Sequence, residues 1–174
     1  LDNQLQADAL ISSALRVLDM RQPEFALPKP VVGAALLAGA QENLTPIIHH
    51  LPPFKAGLGI DKNKQGEHGA KHKLLPSLLR DLVLPQAEFP HLLPMQLFTV
   101  AGFSFVGFPM EITVQAGRYI YEQIKQQLAT IDCLTVSSVC NDYFGYCTTQ
   151  EEYVCQYYEG GHTLYGAKTN EFLA

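Results

Sequence analysis

The sequence predicts an α+β fold, with sheets flanked by helices. Three observations carry that expectation. Two apolar runs, Leu93–Val100 and Phe103–Phe108, flank Ala101-Gly102, a two-residue turn signal, and read as a hairpin. From Thr113 to Ala129, residues Ala116, Ile120, Ile124 and Leu128 recur at helical spacing. Cys133–Val139 then reads as a further strand. The hairpin runs are apolar on both faces, which predicts strands buried within a protein rather than at an edge.

The 174 residues are expected to form one domain, or part of one. Apolar residues make up 47% and charged residues 17%, enough apolar surface for a globular core. A formal net charge of −5 weighs against a nucleic-acid partner. No apolar run is long enough to cross a bilayer as a helix. The chain begins with Leu1, without a signal-peptide pattern, and is read as a piece of a longer polypeptide. Cys133, Cys140, Cys147 and Cys155 form no C-x-x-C pair, which argues against a zinc knuckle. Disulfides and buried thiols both stay open.

In chain order, Asp2 or Asn3 is expected to cap a helix reaching Met20, with Leu5, Ala9, Ile11, Leu15 and Leu18 as its apolar positions. Three prolines in residues 23–30 make an extended connector. Val31–Ala40 reads as a buried strand ending in a turn, and residues 45–73 as a long loop. Within that loop His68 and His72 stand at zinc-ligand spacing, but Gly66 and Gly69 argue against the helix that ligation would need. His49 and His50 are adjacent and would point apart on a strand. Lys62, Lys64, Lys71 and Lys73 read as a solvated face. Asn43-Leu44-Thr45 is a glycosylation sequon, meaningful in a eukaryotic secretory setting.

The densest chemistry lies between Asn141 and Gly166, which holds six of the eight tyrosines: Tyr143, Tyr146, Tyr153, Tyr157, Tyr158 and Tyr165. Such clusters most often serve half-buried strands and interfaces. Thr148-Thr149 followed by Glu151-Glu152 reads as a capped helix start, Thr148 capping with Glu151. Glu111 sits where a strand gives way to a helix. A carboxylate there is either paired or metal-bound, or is a first-turn acid favoured by the helix dipole, and position alone does not choose. Arg118 is expected to pair with a neighbouring acid.

The order of residues in the tyrosine stretch, N-D-Y-F-G-Y-C-T-T-Q-E-E-Y-V-C-Q-Y-Y-E-G-G-H-T-L-Y-G, resembles a signature of the neutral ceramidase family (neutral/alkaline, non-lysosomal). A second block, Phe108-Pro-Met-Glu-Ile-Thr-Val-Gln-Ala-Gly-Arg118, resembles that family's P-G-E-F-T-T-M-A-G-R-R. The resemblance covers roughly Val31 to Ala174 and implies that residues 1–174 are the C-terminal half of one catalytic domain. It implies Zn2+ as cofactor, Glu111 and Tyr146 as two metal ligands, and Tyr158 as a catalytic residue beside the scissile amide. Two histidine ligands, a serine and a general-base histidine would come from an N-terminal half. The implied reaction is hydrolysis of the N-acyl amide of ceramide to sphingosine and fatty acid, in a secreted or periplasmic protein working near a membrane surface. This stretch alone would then be inert. Met110 replaces the family glycine, which would narrow the approach to the metal or tilt the turn. Ala38–Pro46 lacks the family's D-G-P-G core. Two further readings therefore stay open: hydrolysis of another N-acyl substrate, and a non-catalytic lipid-binding module.

Overall fold

The computed structural model describes residues 10–59, 66–75, 85, 88–128, 131 and 133–174. Asp2, Asn3, Leu5, Ala9, Lys62, Lys64 and Ala129 lie outside them. The frame is a four-stranded sheet of β1 (Ile11–Asp19), β2 (Leu92–Val100), β3 (Phe103–Gly107) and β5 (Cys133–Ser137), in that spatial order. A second sheet of two short strands pairs β4 (Glu111–Ile112) with β6 (Tyr146–Cys147). The described residues also form four α-helices: α1 (Val114–Gln127), between β4 and β5, and α2 (Gln150–Cys155), α3 (Tyr158–His162) and α4 (Thr169–Leu173) after β6. The α+β expectation therefore holds.

The β2–β3 hairpin forms where the apolar runs place it. Its turn residues Ala101 and Gly102 both take positive φ, 50° and 84°, the geometry that matches the twist of two antiparallel strands. From β3 the chain passes through β4 and α1 and returns as β5, parallel to β3, because a parallel partner needs a crossover. Helix α1 starts at Thr113, whose hydroxyl accepts the Ala116 N–H at 3.3 Å. Ala116 and Ile120 lie on its buried face. They meet Leu93, Val106 and Leu134 from the inner face of the sheet, and Phe144, Leu164, Tyr165 and Leu173 from the C-terminal segment.

Five expectations are corrected. Residues 11–19 form a strand, not a helix: β1 pairs antiparallel with β2 from Ile11↔Val100 to Asp19↔Leu92. A continuous cross-strand ladder outweighs a weak helical period, and Leu15 and Leu18 fall on opposite faces. Val31–Ala40 is buried and ends in a turn, but it is a 3-10 helix over Ala34–Ala38 with a single bridge at Gly33. His49 and His50 lie in another 3-10 helix with their rings 3.7 Å apart, rather than pointing apart. Lys71 is not on a solvated face. It is 1% exposed, and its ammonium donates to the carbonyls of Val31 (3.1 Å) and Thr163 (2.6 Å) above the ring of Tyr153. The hairpin is buried on one face only: Phe103 and Phe105 are exposed on the other.

Burial lowers the Lys71 amine to about 7, well under its ordinary 10.5. Above that value the unfolded chain holds a proton that the folded chain has released, so stability rises with pH. The rise begins near 7 and continues until the tyrosines of the unfolded chain ionise. Thermal melts between pH 6.5 and 9 should show it, and Lys71→Met should flatten it. A second expectation concerns Ala101, whose left-handed backbone is costly with a β-carbon. Ala101→Gly should stabilise the fold by up to about 1 kcal/mol, read as a rise in Tm.

Candidate active site

The two short strands set the site. Residues Pro109 and Met110 turn the chain out of β3, and Glu111 enters β4 beside Tyr146 of β6, its register partner. Main-chain bonds fix the pair: the Glu111 N–H donates to the Gly145 carbonyl at 2.9 Å, and the Thr113 N–H to the Cys147 carbonyl at 3.0 Å. The Phe144 N–H donates to the Pro109 carbonyl at 2.6 Å. Register partners in a ladder direct their side chains to the same face. The carboxylate of Glu111 and the phenol of Tyr146 therefore leave the sheet side by side.

Gly145 makes this possible. Its φ is 74°, and a β-carbon there would stand 2.6 Å from the main-chain oxygen of His162. A side chain would push α3 away from β6.

Around Glu111 the tyrosines gather. The Tyr143 hydroxyl donates to Glu111 Oε1 at 2.7 Å. Tyr158, the first residue of α3, meets Tyr146 edge to face, with centroids 5.7 Å apart and planes at 80°. The His162 ring packs 5.9 Å from both Tyr143 and Tyr146. Burial and then the Glu111 carboxylate hold the Tyr143 and Tyr146 phenols protonated, above their ordinary range. Burial depresses the His162 imidazole, and the Lys71 ammonium adds to this against the opposing pull of Glu111. Its Nδ1 is buried with no hydrogen-bond partner among the described residues.

These donors suit a divalent cation. Zinc accepts carboxylate and other oxygen ligands beside imidazole nitrogen, and a nearby cation reverses the bias that keeps a phenol protonated. Among the described residues no cluster of three or more His, Cys, Asp or Glu side chains stands ready for a metal. The described site thus offers Glu111 flanked by phenols, a partial donor set.

Glu152 steadies the surroundings. Its Oε2 accepts from the Thr113 hydroxyl at 2.6 Å and from the Thr149 N–H at 2.9 Å, tying the start of α1 to the start of α2. The capping box is therefore Thr149 with Glu152, one position later than the sequence pattern suggested. Arg118 makes no ion pair with a described acid; the one such pair among described residues joins Arg21 to Asp19. Met110 is fully buried in the core, so its side chain does not narrow the approach to Glu111. His68 sits in a turn and bonds the Lys29 carbonyl at 2.7 Å through Nε2. None of the four cysteines is in a disulfide.

A cleft of 580 Å³ opens beside Tyr146, bounded by Ile112, Val114, Tyr157, Glu159 and Gln41. Gln41 belongs to the 38–46 loop, which is closed on itself: the Thr45 N–H donates to the Ala38 carbonyl at 2.9 Å, and the Thr45 hydroxyl to that of Leu37 at 2.7 Å. Sequence reasoning placed Glu111, Tyr146 and Tyr158 together, and the structure brings all three into one cluster. It gave no role to Tyr143 or His162. Tyr143 was visible as part of the tyrosine run; a lone histidine after two glycines gave no signal.

The architecture is that of solved ceramidases. A structure titled "Ceramidase complexed with C2" matches with a TM-score of 0.68 and 28% identity, over 94% of this chain and 29% of that one. Neutral ceramidase from Pseudomonas aeruginosa matches with a TM-score of 0.63 and 26% identity, over 94% and 27%. The profile described as neutral/alkaline non-lysosomal ceramidase, N-terminal, matches residues 27–174, and the chain belongs to this family. By sequence it is 40% identical to the Pseudomonas aeruginosa neutral ceramidase over 87 residues, covering 49% of this chain and 13% of that protein. Against the neutral ceramidase of Mycobacterium tuberculosis it is 29% identical over 151 residues, covering 79% and 23%. The chain therefore spans less than a quarter of these curated relatives.

Gly145→Ala should test how the site is held. The strained backbone and the 2.6 Å approach to His162 predict a loss of roughly 2–4 kcal/mol. Denaturant unfolding would measure it. An unchanged midpoint would mean that the β6–α3 contact is looser than described.

Proposed function

We propose that this chain is the C-terminal half of the catalytic domain of a zinc-dependent amidohydrolase, which cleaves the N-acyl amide of ceramide to sphingosine and a fatty acid. The observation that supports this best is the register pairing of Glu111 with Tyr146, in a chain of the ceramidase family. In this reading the Glu111 carboxylate and the Tyr146 phenol hold the metal from one side, and an N-terminal half supplies the remaining ligands. Bound zinc supplies a water acidified to about pKa 7 and a positive centre for the amide oxygen.

The chain's own residues do the rest. Tyr143 donates to Glu111 and holds that carboxylate in one orientation. Tyr158, edge-on to Tyr146, turns its hydroxyl to the amide oxygen as negative charge develops there. The Ile112 and Val114 wall of the neighbouring cleft suits a hydrocarbon chain. Without its complement the chain holds part of a metal site and is inert. Secretion and work at a membrane surface belong to the same reading.

A second reading, a different N-acyl substrate, is favoured by the 38–46 loop. It lacks D-G-P-G, folds on itself, and lends Gln41 to the cleft. A panel of N-acyl amides separates the two: a preference for sphingoid amides supports ceramide, and none supports the alternative. A non-catalytic lipid-binding module would instead bind lipid unchanged in the presence of a chelator.

The decisive experiment measures zinc content and ceramide turnover of the full-length protein carrying this chain. Glu111→Ala combined with Tyr146→Phe should remove both; if both persist, the reading fails. Tyr158→Phe should keep zinc and lower kcat about a hundredfold.

A further inference from the structure

His162 carries a cost that its surroundings do not explain. It ends α3, after Gly160 and Gly161, and its ring lies 5.9 Å from both Tyr143 and Tyr146. Its Cδ2 edge passes over Gly145, 3.3 Å from where a β-carbon of that residue would stand. Nδ1 is buried and has no hydrogen-bond partner among the described residues. The chain itself encloses this atom, so no segment outside the chain reaches it. Buried polar atoms are almost always paired, and one left unpaired loses its hydration and gains no bond. A phenyl ring would fill the same space without that loss. What an imidazole offers there, and a phenyl ring does not, is its other nitrogen.

The unpaired atom fixes the tautomer. A neutral imidazole has one N–H and one lone pair, and the environment of one nitrogen decides which the other carries. A buried N–H without an acceptor is the rarer orphan, so Nδ1 holds the lone pair and Nε2 the proton. A cationic ring would bury an N–H at Nδ1 as well, so the ring is neutral. Nε2 adjoins Cδ2 on the edge beside Gly145. It is not enclosed, and it bonds to none of the described residues. His162 thus holds an unused N–H donor next to the strand that carries Tyr146.

We propose that His162 is a substrate-binding residue of this site, whose Nε2–H donates to an uncharged oxygen of an N-acyl amide. The proposal rests on the functional reading above and adds a contact to it. The class of acceptor follows from the neighbours. The Glu111 carboxylate, to which Tyr143 donates, lies in the same cluster and would repel a second anion. A neutral oxygen accepts the N–H without that repulsion. N-acyl amides offer one at the carbonyl, and ceramide offers others at its hydroxyls.

The test uses the full-length protein carrying this chain and two probes: a short-chain N-acylsphingosine, and an N-acyl alkylamine without hydroxyls. Affinity is measured by calorimetry on chelator-treated protein, where no turnover intervenes, and kcat/KM on the zinc-loaded enzyme. His162→Phe removes the donor and should weaken binding of one or both probes about tenfold. His162→Gln sets an amide N–H near the position of Nε2 and should bind within about twofold of the parent. The shorter amide of His162→Asn reaches only the position of Nδ1, so that variant should lose as much as His162→Phe. If His162→Phe does not fold by circular dichroism, the contrast between Gln and Asn decides. A loss confined to the sphingosine amide assigns the acceptor to a hydroxyl, and a loss with both probes assigns it to the carbonyl.

Parent-like affinity in both His162→Phe and His162→Asn would overturn the proposal, as would His162→Gln falling as far as His162→Asn. Variants that shift Tm and leave affinity untouched would make the donor's partner a group of the protein, which also overturns it. So would a parent protein that neither binds nor turns over either probe. The two readings fail separately. No ceramide turnover by the parent, with the contrast between Gln and Asn intact in affinity, sinks the amidohydrolase reading alone. Full turnover by both His162→Phe and His162→Asn sinks this one alone.

Discussion

The parallel pairing of two residues on each of two short strands holds the site together. Glu111 and Tyr146 are thirty-five positions apart, and a pair of main-chain hydrogen bonds, from Glu111 to Gly145 and from Thr113 to Cys147, makes them neighbours. Such a small sheet has little stability of its own. It persists because both strands are gripped at their ends. Thr113 passes directly into α1, Thr149 caps α2, and Glu152 bonds both. Phe144 and Cys147 are buried in the core on either side of the exposed chemistry. The face that carries Glu111 and Tyr146 is thus a small ladder clamped between helices, which holds a carboxylate beside a phenol.

Electrostatics add a second layer. In a site without a cation, a carboxylate surrounded by phenols makes each phenol a donor, and the tyrosines stay protonated. A divalent ion would invert that order, since the phenol oxygen then gains more from the metal than from its proton. His162 stands at the boundary. It is kept neutral by burial and by the Lys71 ammonium behind it, and its ring fills the space between two tyrosines.

Much of this was legible in the residues. The hairpin, α1 and β5 follow from local periodicity and a turn dipeptide, and Glu111, Tyr146 and Tyr158 from the order of residues around them. What the sequence hid depends on distant partners. β1 carries apolar residues at spacings that suit a helix; only the ladder to β2, from Ile11↔Val100 to Asp19↔Leu92, makes it a strand. Lys71 lies among lysines and glycines that read as solvent-facing, and its burial is set by two carbonyls contributed from remote segments. The cap fell one residue later than the pattern because two threonines and two glutamates in tandem offer the same box in two registers.

One contact reaches further than its size. Gly33 and Gly161 lie so close that a β-carbon on Gly33 would stand 2.8 Å from the Cα of Gly161, and the Gly33 N–H donates to the Gly161 carbonyl at 2.8 Å. With Lys71 fastening Val31 to Thr163, two stretches of chain are welded backbone to backbone just behind Tyr158. Gly161 sits three residues after Tyr158 in the same short helix, so any side chain that parts the two glycines would displace the turn that carries that tyrosine.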